Sequence, residues 1–154
     1  MDVKYINPFL LATVNVLKTM AGVELTPGKP YLKKDALAAG DVSGIIGITG
    51  EITGSLSVSF PFSLIKKIMK NMLQEEITEI TEDARDAVGE ITNMICGNAR
   101  RMLEENGINK LSAAIPTIIA GRNHTIKHAV PGPIIVIPFK EKSGTAVVEV
   151  SIKS

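Results

Sequence analysis

Residues 81–107, TEDARDAVGEITNMICGNARRMLEENG, predict one long helix with two different faces. Apolar residues recur there at spacings of three, four and seven, and form one stripe that can pack on a core: Ala84, Val88, Ile91, Ile95 and Met102. At about 100° per residue, a polar row falls on the opposite side within an arc of roughly 60°: Asp86, Glu90, Asn93 and Gly97. We expect this row to face solvent or a partner.

The polar side of this helix contains residues that weaken it. Gly89, Asn93, Gly97 and Asn98 are poor helix formers, and together they cost about 2–3 kcal/mol relative to alanines. Gly97 lies one turn beyond Asn93, so it leaves a gap through which a ligand or another backbone could approach the carboxamide. Tight packing of the glycines against a neighbouring element, or a merely solvated face, would explain the same residues without any chemistry.

Three residues of the polar row, together with a later proline, match a known signature. Asp86, Glu90 and Asn93 are followed after 22 residues by Pro116, which gives D-x3-E-x2-N-x22-P. This pattern resembles the signature of the CheC/CheX/FliY family of chemotaxis phosphatases. Three further stretches are similar to helix and strand segments of its CheX members: GEITNMICGNA, PTIIAGR and GITGEITGSLSVSF. The resemblance covers residues 7–151.

The resemblance implies a single CheX-like phosphatase domain over residues 1–154, with an antiparallel β-sheet packed with long α-helices. It also implies a hydrolase that removes the phosphoryl group from the aspartate of a CheY-like response regulator, which would bring its own Mg²⁺ and lysine. By the family's logic, Asn93 positions the attacking water, and Glu90 pairs with the regulator's lysine and sets the docking register. Asp86 and Gly97 would belong to the surface that contacts the partner, and Pro116 would fix the start of a strand.

Two further helices are predicted from capping and periodicity. Asn7 and Pro8 are typical of a helix cap and first position, and Gly22 of a helix end. Ser63 is a candidate cap for another helix with an apolar stripe and an outer row of lysines.

The other segments predict strands. Residues 52–60 alternate apolar side chains with Ser55, Ser57 and Ser59, which predicts a sheet with one buried face. The remaining predicted strands are residues 31–38, 44–49, 112–120, 125–130, 134–139 and 145–152. Helices among blocks of antiparallel strands indicate the α+β class.

Composition excludes several kinds of protein. A hydrophobic content of 45% in 154 residues is that of one globular domain that needs no disulfide, and Cys96 falls beside the apolar stripe as a small half-buried hydrophobe. No secretory h-region follows the N-terminus and no apolar run approaches membrane-spanning length, so we expect a cytoplasmic protein without a membrane segment. A net charge of +1 and the absence of Trp leave no basic aromatic surface for nucleic acid.

His124 and His128 are the only histidines. Four residues span about 13 Å in an extended strand, which is too far for a shared metal. We therefore expect surface histidines, no metal site in the chain and no Ser-His-Asp arrangement.

Two alternative functions stay open. The chain could be a non-catalytic interaction module like the middle domains of flagellar switch proteins, although the presence of both Glu90 and Asn93 argues against that. It could also bind a phosphorylated receiver and merely sequester it. Whichever function holds, we expect a homodimer joined through sheet edges, with residues 31–38 and 145–152 as the candidate edges.

Overall fold

The computed structural model describes residues 3–34, 40–122, 124–128 and 132–153. In these ranges three helices accompany one eight-stranded antiparallel sheet, which confirms the predicted α+β class. The helices are α1 (Val3–Ala21), α2 (Phe62–Leu73) and α3 (Glu82–Glu105). The strands are β1 (Thr26–Pro27), β2 (Tyr31–Leu32), β3 (Val42–Thr49), β4 (Thr53–Phe60), β5 (Ser112–Ala113), β6 (Thr117–Ala120), β7 (Ile135–Glu141) and β8 (Gly144–Lys153).

The strand order is β1-β7-β8-β4-β3-β5, with β2 also paired to β7 and β6 also paired to β3. Short strands therefore occupy both edges. The expectation that residues 145–152 form an edge is wrong, because β8 lies between β7 and β4 and is buried on both faces. Tyr31–Leu32 does lie at an edge, and residues 35–38 of that predicted strand are outside the described ranges.

Local sequence signals set both ends of α3. Thr81 precedes the helix in an extended conformation, and its Oγ1 accepts the N–H of Ala84 at 3.1 Å. At the other end Gly107 has a φ of 94°, and the N–H of Ile108 donates to the carbonyl of Leu103 at 3.0 Å. The long helix predicted within residues 81–107 is therefore confirmed, and it spans Glu82–Glu105.

The predicted start of α1 is wrong. The helix begins at Val3, so Asn7 is not its cap and Pro8 stands inside it. Ile6 is buried in this additional turn, and its packing outweighs the preference of proline for the first helical position. The predicted end at Gly22 is confirmed, since this residue follows the helix with a φ of 60°.

The start of α2 is capped by Asp41, which lies 21 positions before Phe62 in the chain. Pro61 precedes the helix, and Ser63 lies inside it, so the expected serine cap is wrong. Asp41 supplies an acceptor instead, because its Oδ2 accepts the N–H of Phe62 at 2.8 Å. A cap from another segment leaves no signal in the local pattern.

Both faces of the sheet are buried, although the alternation in β4 predicted only one. Ser55, Ser57 and Ser59 are at most 2% exposed. Residues 124–128 lie on this serine face, with His124 Nε2 at 2.7 Å from the Ser43 hydroxyl. The predicted strand over residues 125–130 is therefore wrong for residues 125–128, which form only a single bridge at position 125; residues 129 and 130 are outside the described ranges. A two-residue period cannot distinguish a solvated polar face from one covered by a polar segment.

A buried ionic cluster holds this covering segment. His128 Nε2 is 3.0 Å from Glu149 Oε1, and Lys33 Nζ lies 2.8 Å from both Glu149 carboxylate oxygens. The side chains of Lys33, His128 and Glu149 are 7%, 1% and 2% exposed, so the expectation that His128 is a surface residue is wrong. Burial by itself would raise the pKa of Glu149, but the hydrogen bonds from His128 and Lys33 outweigh it and hold that pKa below its ordinary value.

We expect Glu149→Gln to lower the free energy of unfolding by about 3 kcal/mol at neutral pH, because it leaves Lys33 buried without a counter-charge. A carboxyl whose pKa is lowered in the folded state stabilises the protein above its ordinary pKa of 4.5 and loses that contribution as the pH falls further. The difference between wild type and variant should therefore shrink below pH 4.5 in urea unfolding curves.

Glu104→Gln is the matched control for this comparison. Glu104 is exposed on α3, so its replacement should change the free energy of unfolding by no more than about 0.5 kcal/mol at either pH. A Glu149→Gln difference that is the same at about pH 3 and about pH 7 would contradict the assignment.

Candidate active site

The polar row lies on the outer face of α3. Asp86, Glu90 and Asn93 are exposed, and Gly97 is partly exposed at the end of the row. On the opposite side, the predicted apolar stripe is buried except for Met102, which is half-buried. The expectation that this helix has one packed face and one free polar face is therefore confirmed.

The rotation of α3 is fixed by a close contact with β3. A Cβ atom on Gly44 would lie 2.1 Å from Thr92 Oγ1, so only a glycine lets the helix approach the strand this closely. Thr92 is fully buried, and its hydroxyl donates to the Val88 carbonyl of the preceding turn at 2.7 Å. Because Asn93 is the next residue, this contact turns its side chain away from the sheet.

The two asparagines of α3 differ in how their amides are used. Asn98 Nδ2 donates to the Met94 carbonyl at 2.9 Å, and Asn98 Oδ1 accepts from Arg101 at 3.1 Å. Within the described residues, the side chains of Glu90 and Asn93 have no hydrogen bond or ion pair. Asn93 is therefore the amide of this helix that is available to a water molecule or a partner.

Among the described residues, no tight packing requires the glycines of α3. A Cβ atom on Gly97 would meet nothing within 4 Å among the described residues, and one on Gly89 would make only ordinary contact with Ile118, at 3.5 Å. Packing within the chain consequently gives no reason for a glycine at position 97, where alanine would favour the helix.

Pro116 directly precedes β6, so the structure agrees with its predicted place at the start of a strand. The single strand predicted over residues 112–120 is wrong, however, because β5 and β6 are separated by residues 114–116. Ile115 in this break is 89% exposed, the highest value among the large hydrophobic residues described. Sequence reasoning missed it, because an isoleucine within a predicted strand is typical of a buried position.

A second group of catalytic residue types lies on the serine face. Ser55 Oγ is 2.8 Å from His128 Nδ1, and His128 contacts Glu149, so the expectation that no serine-histidine-carboxylate arrangement forms is wrong in geometry. Ser55 is only 2% exposed, and the carboxylate of Glu149 is already bound to Lys33, so no substrate can reach the serine. This cluster is structural.

The other candidate groups carry no chemistry. Cys96 is buried on α3 rather than half-buried as predicted, and its burial raises the pKa of the thiol, which keeps it protonated. Among residues 3–34, 40–122, 124–128 and 132–153, no group of three or more His, Cys, Asp or Glu could hold a metal ion. In the same ranges no helix is long and apolar enough to cross a membrane.

Comparison with known proteins identifies the family. The sequence model described as "Chemotaxis phosphatase CheX" matches residues 42–140. The CheY-P phosphatase CheX of Thermotoga maritima is 30% identical over 140 residues, which cover 90% of this chain and 88% of that protein.

Two solved structures are similar over nearly the whole chain. A CheC-like superfamily protein from Shewanella sp. PV-4 has a TM-score of 0.92 and 48% identity, with 100% of both chains covered. The CheX–CheY–BeF3–Mg²⁺ complex from Borrelia burgdorferi has a TM-score of 0.79 and 28% identity, with 97% of this chain and 98% of that chain covered. The chain therefore belongs to the CheX family of chemotaxis phosphatases and is a hydrolase.

Proposed function

We propose that this protein hydrolyses the aspartyl phosphate of a CheY-like response regulator, and that Glu90 and Asn93 of α3 carry the reaction. The observation behind the proposal is an exposed carboxylate and an exposed amide, one helical turn apart and without partners in the described chain. The Thermotoga relative is a CheY-P phosphatase and the Borrelia protein forms a complex with CheY, and both support this choice of substrate.

Asn93 is the residue that positions the attacking water. Its Oδ1 can accept a hydrogen bond from water while its Nδ2 donates to a phosphoryl oxygen, and the neutral amide adds no negative charge beside an anion. The water oxygen forms a bond to phosphorus as the bond between phosphorus and the aspartyl oxygen breaks. The products are inorganic phosphate and the free carboxylate of the receiver.

Glu90 sets the register of the docked receiver. A carboxylate at this position can pair with a lysine beside the phosphorylated aspartate, which holds Asn93 opposite the phosphorus atom. Asp86 extends the same contact by one turn. Gly97 lets the backbone or a side chain of the receiver approach the helix closely.

The Mg²⁺ ion belongs to the receiver in this proposal. The described residues of this chain offer no cluster of metal ligands, whereas the Borrelia complex contains Mg²⁺ together with CheY. When bound, the ion would neutralise charge on the phosphoryl group. We also assign the whole chain, residues 1–154, to one phosphatase domain that acts in the cytoplasm, where CheY-like receivers signal.

We expect Asn93→Ala to lower kcat on the order of 100-fold with little change in KM, because the amide acts only as the phosphoryl group transfers. The measurement uses trace protein, excess phosphorylated receiver and Mg²⁺, and follows phosphate release. Glu90→Ala should raise KM in the same assay, and Glu90→Lys should raise it further because it adds repulsion to the receiver's lysine.

Asn98→Ala is the matched control, since Asn98 is on the same helix with its amide already bonded within the helix. It should retain wild-type turnover. Thermal unfolding checks that the variants fold, because surface changes usually stay within about 0.5 kcal/mol. Near-normal turnover by Asn93→Ala would mean that the reaction does not depend on this residue of α3. Fewer than one phosphate released per molecule of wild type would mean that the protein binds the receiver without catalysis.

Gly97→Ala should stabilise the protein and weaken docking at the same time. We expect the free energy of unfolding to rise by up to about 1 kcal/mol, because the added Cβ meets no described atom and alanine favours the helix. KM should rise because the gap beside Asn93 is filled. Urea unfolding and the turnover assay measure the two effects.

Gly44→Ala is the contrasting variant, and it should lower the free energy of unfolding by about 1–3 kcal/mol through its clash with Thr92. A Gly97→Ala protein that is less stable than wild type would mean that an unrecognised contact, rather than a partner, requires this glycine.

We further propose a homodimer joined at the edge that carries β2. Tyr31 and Leu32 are 53% and 52% exposed there, and an edge strand with exposed apolar residues is suited to pairing. Sedimentation should give about twice the monomer mass of 16.5 kDa at tens of micromolar. Leu32→Asp should shift the protein towards the monomer, and a wild-type mass near 16.5 kDa would refute the dimer.

A further inference from the structure

The break between β5 and β6 is a β-bulge. Ala113 pairs with Ile48 and Thr117 pairs with Ile45, so three residues of one chain segment oppose two residues of β3. The N–H of Ala114 donates to the Gly47 carbonyl at 3.0 Å, which leaves both Ile115 and Pro116 opposite Ile46. A bulge needs no ladder hydrogen bond at its extra residue, and this explains how an edge strand accommodates proline here.

The bulge directs Ile115 towards the side of the sheet that carries α3. Gly44 faces α3 through its contact with Thr92, and alternation along β3 places Ile46 on the same side. Ile115 and Pro116 share the position opposite Ile46, so both belong to that side. Without the extra residue, one continuous strand would place a single side chain there.

Two arginines of α3 donate hydrogen bonds to carbonyls on either side of the bulge, and these contacts show which part of the helix lies beside it. Arg100 Nη1 donates to the Leu111 carbonyl at 3.1 Å, and Arg85 Nη2 donates to the Ile118 carbonyl at 3.5 Å. The edge therefore runs antiparallel to α3.

The position of Ile115 along the helix follows from these contacts. Gly89 lies beside Ile118, and Ile115 is three strand residues, at most about 10 Å, further along the edge. At 1.5 Å per helical residue this distance corresponds to six or seven positions, so Ile115 is level with the stretch between Asn93 and Gly97.

We propose that Ile115 is an apolar docking residue for the receiver, adjacent to the polar row. This inference rests on the proposed function, and it identifies the class of surface that the substrate must present. A receiver that brings its phosphorylated aspartate to Asn93 covers Ile115, which is 89% exposed in the free protein. The rim of its phosphorylation pocket must therefore offer an apolar patch beside the charged contact to Glu90.

A second copy of this chain is the less favourable occupant of this edge. Addition of another strand requires a regular row of free N–H and carbonyl groups, and the bulge interrupts that row while Pro116 lacks an N–H. The flanking carbonyls of Leu111 and Ile118 already accept hydrogen bonds from arginines. The edge is therefore suited to a side-chain contact rather than to sheet extension.

The test compares Ile115→Asp, Ile115→Ser and Ile115→Leu with wild type. We expect Ile115→Asp and Ile115→Ser to raise KM on the order of tenfold or more with kcat within about twofold, and Ile115→Leu to resemble wild type. Binding to a CheY-type receiver loaded with BeF3⁻ and Mg²⁺ should weaken by the same factor. Leu73→Asp is the matched control, since Leu73 is 45% exposed at the end of α2 and belongs neither to the polar row nor to the segment between β5 and β6.

The outcomes separate this inference from the proposed function. Wild-type KM and Kd for Ile115→Asp, with Asn93→Ala inactive, would overturn the role of Ile115 alone. The role of Ile115 would also be overturned if Ile115→Asp lost no more affinity than Leu73→Asp. A change in sedimentation mass caused by Ile115→Asp would overturn it too, because it would identify a contact between two copies of this chain. If wild type shows no turnover, the proposed reaction fails, and the BeF3⁻ binding measurement still decides whether Ile115 contacts a receiver.

Discussion

The structure depends on the contact between Gly44 and Thr92. A helix can rest this close to a strand only where the strand has no side chain, because a Cβ atom at position 44 would overlap the threonine hydroxyl. That hydroxyl is satisfied within its own helix by the Val88 carbonyl, so no polar group is left unpaired at the contact. The contact fixes both the depth and the rotation of α3, and the orientation of Asn93 follows from it.

A rigid helix is useful for a reaction whose other reactive groups arrive with the partner. The backbone of α3 is held by a buried stripe, by two arginine contacts to the neighbouring edge and by its caps. In the proposed function, docking of the receiver orders only the exposed side chains of Glu90 and Asn93, which lowers the entropic cost of binding. The exposed Ile115 would add apolar contact area to these two polar groups if it docks the receiver as proposed.

The serine face of the sheet carries residue types that are common in active sites, but their burial prevents catalysis. Ser55, His128 and Glu149 have the residue types and distances of a catalytic group, but they are sealed from solvent, and Lys33 neutralises the carboxylate. The hydrogen bonds among these side chains offset the cost of burying their polar groups, and they attach the covering segment to the sheet. The proposed reaction is assigned instead to the opposite side of the sheet, where α3 presents side chains without partners among the described residues.

The sequence by itself determined the α+β class, the extent of α3 and its two faces, since hydrophobic period and caps act within a few residues. Resemblance to the family signature also singled out Glu90, Asn93 and Pro116. Only the tertiary structure decided that β8 is central, that residues 124–128 cover the serines, that Asp41 caps α2 and that Ile115 is exposed. These features join residues that are distant in the chain, and a local pattern contains no information about which distant segment will supply a partner.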